Sequence, residues 1–291
     1  MARESADAVS WGVLRGRILG PSPFFVVGIV NATPDSFYDG GSASESEDLV
    51  AKALSLLDQG ADILDIGGES TRPFAEAVPP DVELERVLPV VRGVLRARPD
   101  AVVSVDTTKA SVARACLEAG AVIVNDVSAM GVDPGLAEVV CGLKPGYVLM
   151  HSQGSPGSMQ VDPRYDDVVD DIRRFFAERL DALVRSGLPE ENVVLDPGIG
   201  FGKTLRHNLE ILRNIERFFE FGRPVYMGLS NKSLWKGLLG RDGRDRNAAT
   251  LAATVALYGR GVRIHRVHEV RETRDGLTVA MALAGEGEGR C

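Results

Sequence analysis

The feature that most constrains the fold is a regular alternation of short, β-branched runs with longer amphipathic stretches. Alternation of this kind is typical of parallel β-strands joined by helical crossovers. About eight such units favour a closed barrel over an open sheet, so the sequence predicts an α/β fold with a single (β/α)8 TIM barrel. The predicted strands are Phe24–Val30, Asp62–Ile66, Ala101–Val105, Ala121–Asn125, Gly146–Met150, Val193–Leu195, Pro224–Gly228 and Arg263–Val267.

Helical patterns fill the intervals between these runs. Two candidates lie between the last two strands and are interpreted as one doubled or interrupted connection. The helical candidates are Glu45–Gln59, Val82–Arg96, Ser111–Ala119, Asp166–Arg185, Asn208–Phe221, Leu234–Leu239 and Ala248–Tyr258.

No linker or break in composition divides the 291 residues, a length that is normal for one barrel. We expect residues 1–22 to form an N-terminal lead-in, residues 23–284 the barrel, and residues 285–291 a short flexible tail. Two segments rich in Gly, Pro and Ser or flanked by Pro are predicted to be mobile loops, namely Thr71–Pro80 and Ser152–Asp162.

The charge and cysteine content limit the partners of the chain. A formal net charge of −8 disfavours nucleic acid and anionic lipid as partners. The three cysteines, Cys116, Cys141 and Cys291, show no CxxC pairing, which fits a reducing compartment. With no apolar run of 18 residues, the sequence predicts a cytoplasmic protein that does not cross a membrane.

Polar residues follow nearly every predicted strand. The carboxyl ends of barrel strands meet at one mouth, so these residues are expected to converge and form an active site at that mouth. The clusters are Asn31–Phe37, Gly67–Pro73, Asp106-Thr107, Asn125-Asp126, His151, Asp196–Lys203, Ser230–Ser233 and Arg266–His268.

The charges of these side chains predict a ligand with two chemically different ends. Carboxylate and amide acceptors suit a fused 2-amino-4-oxo ring, because a carboxylate accepts two adjacent N–H bonds. The cations suit a phosphate or pyrophosphate, and Asn31 offers an oxygen to Mg²⁺. The acceptor group comprises Asp106, Asn125 and Asp196, and the cationic group comprises Arg72, Lys232, Arg266 and His268.

Four of these motifs resemble those of the dihydropteroate synthase family, a family of pterin-binding TIM barrels. They are Asn31–Phe37, Leu64–Pro73, Asp196–Lys203 and Arg266–His268, and the resemblance runs from about Phe25 to Leu283. The resemblance implies condensation of a dihydropterin hydroxymethyl pyrophosphate with p-aminobenzoate, release of pyrophosphate, a Mg²⁺ cofactor, a homodimer and inhibition by sulfonamides. It also implies that the first two mobile loops close over the substrates.

The resemblance assigns a role to each candidate residue. It places Asp106, Asn125, Asp196 and Lys232 in the pterin pocket, with Met150, Phe201 and Gly228 as its walls. It places Arg72, Arg266 and His268 on the pyrophosphate, with Lys232 completing the catalytic group, and Asn31 on the metal. It places Thr71, Pro73 and Ser233 on the p-aminobenzoate side.

Several positions depart from the family pattern. Phe74 replaces the usual Gly after Thr-Arg-Pro, and Asn231, which is expected to face outward, replaces the Arg of Ser-Arg-Lys-Ser. Ala32 and Tyr38 replace the commoner Val and Ser. These departures keep open a non-catalytic pterin-binding paralogue. A pterin-dependent methyltransferase is a second alternative, although it would leave the cationic group without an anion to bind.

Structural roles are also open for individual residues. Asp106, Asp196 and Asn125 are all suitable helix caps, and His268 and His151 are compatible with a buried structural position. The segment from Gly198 to Thr204 superficially suggests a nucleotide-binding loop, but it has three residues rather than four before Gly-Lys-Thr. We therefore predict a tight glycine turn there, lining the pterin pocket. His207 and His265 are predicted to be structural or surface residues.

Overall fold

The computed structural model describes residues 8–33, 43–71, 75–154, 159, 163–240 and 246–285, with the side chains of residues 43–45 excluded. Within this part of the chain, ten β-strands alternate with nine α-helices. The strands are β1 (Val9–Gly12), β2 (Ile18–Ser22), β3 (Phe25–Asn31), β4 (Ile63–Gly67), β5 (Val103–Asp106), β6 (Ile123–Asp126), β7 (Gly146–Met150), β8 (Val193–Asp196), β9 (Tyr226–Gly228) and β10 (Ile264–Val267). The helices are α1 (Ala43–Asp58), α2 (Pro80–Ala97), α3 (Ala110–Glu118), α4 (Gly135–Leu143), α5 (Val168–Arg185), α6 (Leu205–Arg213), α7 (Leu234–Leu239), α8 (Asn247–Tyr258) and α9 (Val270–Leu283).

Eight parallel strands form the predicted barrel. Their order is β8-β7-β6-β5-β4-β3-β10-β9, and a parallel bridge between Leu195 and Val225 joins the two ends. The Leu195 amide completes this closure by donating to the Pro224 carbonyl over 2.9 Å. The strands are buried almost throughout because helices cover their outer face, which explains their continuous apolar sequence.

All eight barrel strands are confirmed at the predicted places, whereas the connections differ in detail. The predicted helix Asn208–Phe221 is in fact α6 followed by a separate 3₁₀ segment, Ile215–Phe221. The doubled connection after β9 is confirmed as α7 and α8. Helices α4 and α9 were not among the helical candidates.

Strands β1 and β2, which the sequence pattern did not predict, form an antiparallel hairpin at the amino-terminal end of the barrel. The Trp11 indole donates to the Asn192 carbonyl over 2.8 Å and packs edge-on against Tyr226. Val9, Trp11, Val13 and Leu19 pack in one buried cluster with residues at the amino-terminal ends of the barrel strands. The hairpin therefore covers this end of the barrel, on the side away from the strand ends that carry the polar motifs.

No helix in the described ranges is both long enough and apolar enough to cross a membrane.

Candidate active site

A cavity of about 740 Å³ opens at the carboxyl ends of the barrel strands. It is lined by residues from the ends of β3, β4, β5, β9 and β10 and from the turn after β8, so segments distant in sequence converge as predicted. Of the predicted site residues, those that line it are Asn31, Thr71, Asp106, Phe201, Gly228, Lys232, Ser233, Arg266 and His268.

The other predicted site residues divide into two groups. Asn125, Met150 and Asp196 are buried and are not among the residues that line the cavity. Arg72 and Pro73 lie outside the described residues, as do Phe74, Tyr38 and most of Asn31–Phe37.

An ion network occupies the floor of the cavity. Arg266, one-fifth exposed, donates from Nε to Asp65 Oδ2 over 2.6 Å and from Nη2 to Asp106 Oδ2 over 2.7 Å. Asp65 is fully buried and also accepts from Ser104 Oγ over 2.6 Å and from Asn125 Nδ2 over 2.9 Å. Arg266 is therefore held by carboxylates, which the sequence did not predict when it assigned this cation to the pyrophosphate. Two of its nitrogens are engaged in this way, and its side chain still lines the cavity.

The network places Asp106 close to its titration point near neutral pH. Burial raises the pKa of Asp106 to about 7, against the opposing effect of Arg266, and the nearby charges of Asp65 and Glu83 raise it further. The charges of Asp65 and Asp106 hold the pKa of Arg266 above its usual range despite burial. Asp106 is therefore a hydrogen-bonding group whose charge responds to small changes around it.

A second carboxylate lies with two lysines at the end of β8. Burial raises the pKa of Asp196 to about 6, opposed by a hydrogen bond from the Gly198 amide, at 2.7 Å, and by the charge of Lys232. Burial lowers the pKa of Lys232 to about 8 and that of Lys203 to about 7, with Asp196 acting in the opposite direction on both. Perturbed groups of this kind, gathered beside a cavity, are typical of functional sites.

Phe201 and Lys232 form one wall of the cavity. The Lys232 Nζ lies 4.2 Å from the centroid of the Phe201 ring, a cation–π geometry. Phe201 packs with buried Met150 and Met159, so Met150, predicted to be a wall of the pocket, contacts this wall without lining the cavity itself. The arrangement presents a flat apolar surface beside a cation.

The segment after β8 is a tight glycine turn, as predicted. Gly198, Gly200 and Gly202 have φ values of +69°, +85° and +62°, a region that favours glycine. A Cβ on Gly198 would lie 1.9 Å from the His151 carbonyl oxygen, and one on Gly202 would lie 2.3 Å from that of Gln153. Only glycine permits this approach, and the turn thereby presents Phe201 to the cavity.

Lys203 fastens this turn to His151, the residue that follows the neighbouring strand β7. Its Nζ donates to the carbonyl oxygens of Phe201, at 2.9 Å, and His151, at 3.2 Å, and lies 3.0 Å from His151 Nδ1. Burial and the charge of Lys203 lower the pKa of His151 to about 2, so His151 is a neutral acceptor at physiological pH. His151 therefore has a structural contact here, one of the two roles the sequence left open.

His268 and Asn231 meet at the rim. His268 Nδ1 lies 2.8 Å from Ser230 Oγ and 3.3 Å from Asn231 Nδ2. The prediction that Asn231 faces outward was wrong, because its side chain lines the cavity beside His268. Asn231 has φ +58°, a left-handed conformation that asparagine tolerates better than most residues, and this gives a physical reason for asparagine at the position.

Two functional residues were missed by sequence reasoning. Asp65 lies within the Leu64–Pro73 motif but was given no role, although a carboxylate inside an apolar strand must find a cation or a donor. Lys203 was read only as part of the glycine turn. His207 and His265 have the structural roles predicted for them, since His207 completes a capping box with Thr204 and His265 is buried, with Nε2 3.2 Å from the Val262 carbonyl oxygen.

The donor set is compatible with Mg²⁺ bound mainly by a ligand's phosphates. Asn31 contributes an amide side chain at the cavity wall. In the described residues, no three His, Cys, Asp or Glu side chains gather to hold a metal by themselves. Mg²⁺ usually keeps water ligands and bridges phosphate oxygens, so one protein oxygen beside an anion-binding cavity fits it.

Comparison with known proteins shows which family the chain resembles along most of its length. Residues 27–268 match the model of the pterin binding enzyme family. The dihydropteroate synthase of Escherichia coli K12 is 39% identical over 268 residues, which cover 92% of this chain and 94% of that protein.

Solved structures of dihydropteroate synthases share the fold. The Yersinia pestis enzyme in complex with a sulfonamide drug has a TM-score of 0.87 at 39% identity, covering 94% of this chain and 98% of that one. The Xanthomonas albilineans enzyme was solved with 4-aminobenzoic acid, with a TM-score of 0.86 at 43% identity and the same coverage. It was also solved with 7,8-dihydropteroate, with a TM-score of 0.84 at 40% identity, covering 95% of this chain and 99% of that one.

Proposed function

The chain belongs to the pterin-binding enzyme family, as one of its dihydropteroate synthases, and from this premise we propose how it acts. It is a transferase that condenses 6-hydroxymethyl-7,8-dihydropterin pyrophosphate with p-aminobenzoate, giving 7,8-dihydropteroate and pyrophosphate in folate biosynthesis. The observation that carries this function is one cavity that brings together a buried carboxylate, Asp106, the cations Lys232 and Arg266, and His268. Such a cavity matches a substrate with a donor-rich ring at one end and an anion at the other.

The floor recognises the pterin. Ionised Asp196 and Asp106 accept the ring's N–H groups. The side-chain amide of Asn125 adds a further polar group, and its bond to Asp65 fixes its orientation. Phe201 and Lys232 bind the faces and edge of the ring, with Met150 supporting Phe201 and Gly228 leaving room at the opposite wall. The pKa values of about 6 and about 7 keep both carboxylates responsive to a donor-rich ligand.

Arg266 from the floor and His268 from the rim bind the leaving group together with Arg72. These side chains and Lys232 stabilise the negative charge that develops on the departing pyrophosphate. Asn31 would hold Mg²⁺ through its side-chain oxygen, and the bound metal would supply neutralisation of the negative charge on the phosphates.

The reaction requires no nucleophile from the protein, because the arylamine itself attacks the carbon that pyrophosphate leaves. The carbon–oxygen bond between the methylene and the pyrophosphate breaks, its electron pair leaving with pyrophosphate, and the methylene cation is delocalised into the pterin ring. The amine nitrogen of p-aminobenzoate then forms the new carbon–nitrogen bond and loses one proton. An arylamine is neutral at pH 7, so no strong base is required before the attack.

The segment after β4 and the end of β9 form the side that binds p-aminobenzoate. Thr71 and Ser233 line the cavity there, and Pro73 belongs to the same segment as Thr71. A sulfonamide mimics p-aminobenzoate in shape and is therefore expected to compete at this side. Closure of the predicted mobile loops over the substrates would exclude water that could trap the cation. We further propose that the enzyme acts as a cytoplasmic homodimer.

The test is direct turnover. Purified protein is incubated with Mg²⁺, the dihydropterin pyrophosphate and p-aminobenzoate, and dihydropteroate and pyrophosphate are both quantified. Equal amounts of the two products support the synthase. Binding of the dihydropterin pyrophosphate in calorimetry with no product would instead indicate a non-catalytic paralogue, and absence of both would refute the pterin site. An Asp196→Ala variant serves as the matched control, because it is expected to lose dihydropterin binding.

A further inference from the structure

Glu69 closes the base of the segment that carries Thr71. This segment leaves the barrel at Gly67, the end of β4, and re-enters regular structure at Pro80, the start of α2. Glu69 Oε1 accepts from the Val78 amide over 3.4 Å, so one side chain near the start of the segment binds the backbone near its end. Arg86 of α2 also donates to the Gly68 carbonyl over 2.9 Å, fastening the first residue after the strand.

Lys109 joins this base to the neighbouring strand. Its Nζ donates to Glu69 Oε2 and to Glu83 Oε2, forming a salt-bridged triad of Glu69, Lys109 and Glu83. Lys109 follows β5, and its amide donates to Thr107 Oγ1 over 3.2 Å. The triad therefore connects the strand end that carries Asp106 to the segment that carries Thr71.

The triad is buried at a considerable cost in desolvation. Glu83 is fully buried, and its Oε1 has no hydrogen-bond partner among the described residues. A Cβ on Gly68 would lie 2.7 Å from Val87 Cγ2 and 3.0 Å from Glu83 Cγ, so this close packing depends on glycine. Apolar residues would fill such a place more favourably, which indicates that the charges serve a purpose other than stability.

The charges also reach the pterin floor. The charge of Glu83 is one of the effects that raise the pKa of Asp106. Burial acts to lower the pKa of Lys109, but its bonds to the two carboxylates outweigh that effect and raise it, so Lys109 stays a cation. The triad thus keeps a fixed set of charges between the segment and the floor.

We propose that Glu69, held by Lys109 and Glu83, is a positioning residue that sets the placement of Thr71, two residues further along the chain, for arylamine binding. The inference rests on the proposed function, since it requires that p-aminobenzoate bind against this segment. Glu69 itself lines the cavity wall without being assigned to either substrate. Its effect on the reaction is transmitted through the backbone that joins Glu69 to Thr71.

Glu69→Gln is the main test. The amide cannot serve both contacts, because turning its oxygen toward Lys109 points its NH₂ at the Val78 donor, and the reverse orientation faces Lys109 with a donor. We expect the KM for p-aminobenzoate to rise roughly tenfold, while the Kd for dihydropterin pyrophosphate in calorimetry stays within about twofold. Glu69→Asp, which keeps the charge but is too short for both contacts, should shift the same KM in the same direction.

Two further variants separate positioning from general damage. Lys109→Arg keeps a cation able to bridge two carboxylates, so its KM for p-aminobenzoate should stay near that of the wild type. Asp58→Asn removes an exposed ion pair of 2.6 Å with Arg98, outside the cavity, and should leave both constants unchanged.

A merely structural triad gives a different result. Partial unfolding lowers the fraction of active enzyme, so the apparent kcat would fall with both the KM for p-aminobenzoate and the Kd for dihydropterin pyrophosphate unchanged. That outcome in both Glu69 variants would overturn the inference. Failure of the wild-type enzyme to make dihydropteroate would refute the proposed function instead, so the two failures are distinguishable.

Discussion

Arg266 and Asp65 lie 201 residues apart in sequence and meet with Nε 2.6 Å from Oδ2 at the floor of the cavity. Asp65 is enclosed by the barrel, and Arg266 reaches from it to the cavity surface. The buried carboxylate therefore fixes the direction of a cation that the substrate can meet. Because Asp65 accepts three hydrogen bonds, its removal and its neutralisation should have different consequences.

Asp65→Ala should destabilise the protein by ~3–5 kcal/mol, because it leaves Arg266 partly unpaired and Ser104 and Asn125 without their acceptor. Asp65→Asn should cost less, about 1–2 kcal/mol, since its oxygen can still accept from Arg266 and Asn125 while its NH₂ turns to the Ser104 hydroxyl. Urea unfolding followed by circular dichroism measures both. Equal losses for the two variants would show that the negative charge of Asp65, which both variants remove, governs the site rather than its hydrogen bonds.

The barrel was predictable because parallel strands covered by helices are apolar runs. The strand ends show where this signal stops. Strands β3, β5 and β8 were each predicted to end at the last apolar residue, and each continues through one polar residue, namely Asn31, Asp106 and Asp196. Those residues belong to the strands and also lie at the cavity mouth. Because they are polar, the apolar strand pattern ends before them, and the same polarity suits them to the site.

The hairpin and the ion network were not predictable in the same way. Val9, Trp11 and Val13 alternate inward over a run too short to stand out, and the partner of Trp11 is Asn192, 181 residues along the chain. The pairing of Arg266 with Asp65 likewise depends on β10 lying beside β3, which no local pattern contains. Asn231 was misjudged because its left-handed backbone, not its neighbours in sequence, turns it toward His268.

Asp196→Asn should stabilise the fold while weakening pterin binding. Burial raises the pKa of Asp196 to about 6 from 3.8, so the folded state carries an ionisation penalty that is absent below about pH 4 and complete above about pH 7. That penalty corresponds to ~3 kcal/mol and already includes the attraction of Lys232 and Lys203, so it is the upper bound on the gain expected for Asp196→Asn at pH 8. Thermal unfolding at pH 8 and pH 4 tests this, with the gain expected to vanish at the lower pH.

The matched control for this variant is Asp170→Asn. The Asp170 carboxylate is exposed, and its hydrogen bond with Arg173 lowers its pKa, so ionisation stabilises the fold there. Its neutralisation should lower stability at pH 8, the opposite sign to Asp196→Asn. If the two variants shift the unfolding temperature in the same direction, burial of Asp196 is not the cause.

Asn31→Ala should raise the Mg²⁺ concentration needed for half-maximal activity, by roughly tenfold, because the metal would lose the side-chain oxygen proposed to hold it. Activity is titrated with Mg²⁺ at saturating concentrations of both substrates. Asn214→Ala, which removes an exposed amide bonded only to the Glu210 carbonyl within α6 and its cap, is the control. An unchanged Mg²⁺ requirement in Asn31→Ala would remove Asn31 from the metal site.

The pH profile of kcat/KM for dihydropterin pyrophosphate should be bell-shaped, with an acidic limb set by Asp106 and Asp196 and an alkaline limb set by Lys232. Below about pH 7 the Asp106 carboxyl, and below about pH 6 the Asp196 carboxyl, gains a proton and loses its ability to accept from the pterin, and above about pH 8 Lys232 loses its charge. Lys232→Arg should abolish the alkaline fall below pH 10, because a guanidinium keeps its proton throughout that range. Lys236→Arg, an exposed position on α7, should leave the profile unchanged. An alkaline fall retained in Lys232→Arg would assign it to another group, of which buried Lys203, with its pKa lowered to about 7, is the nearest candidate.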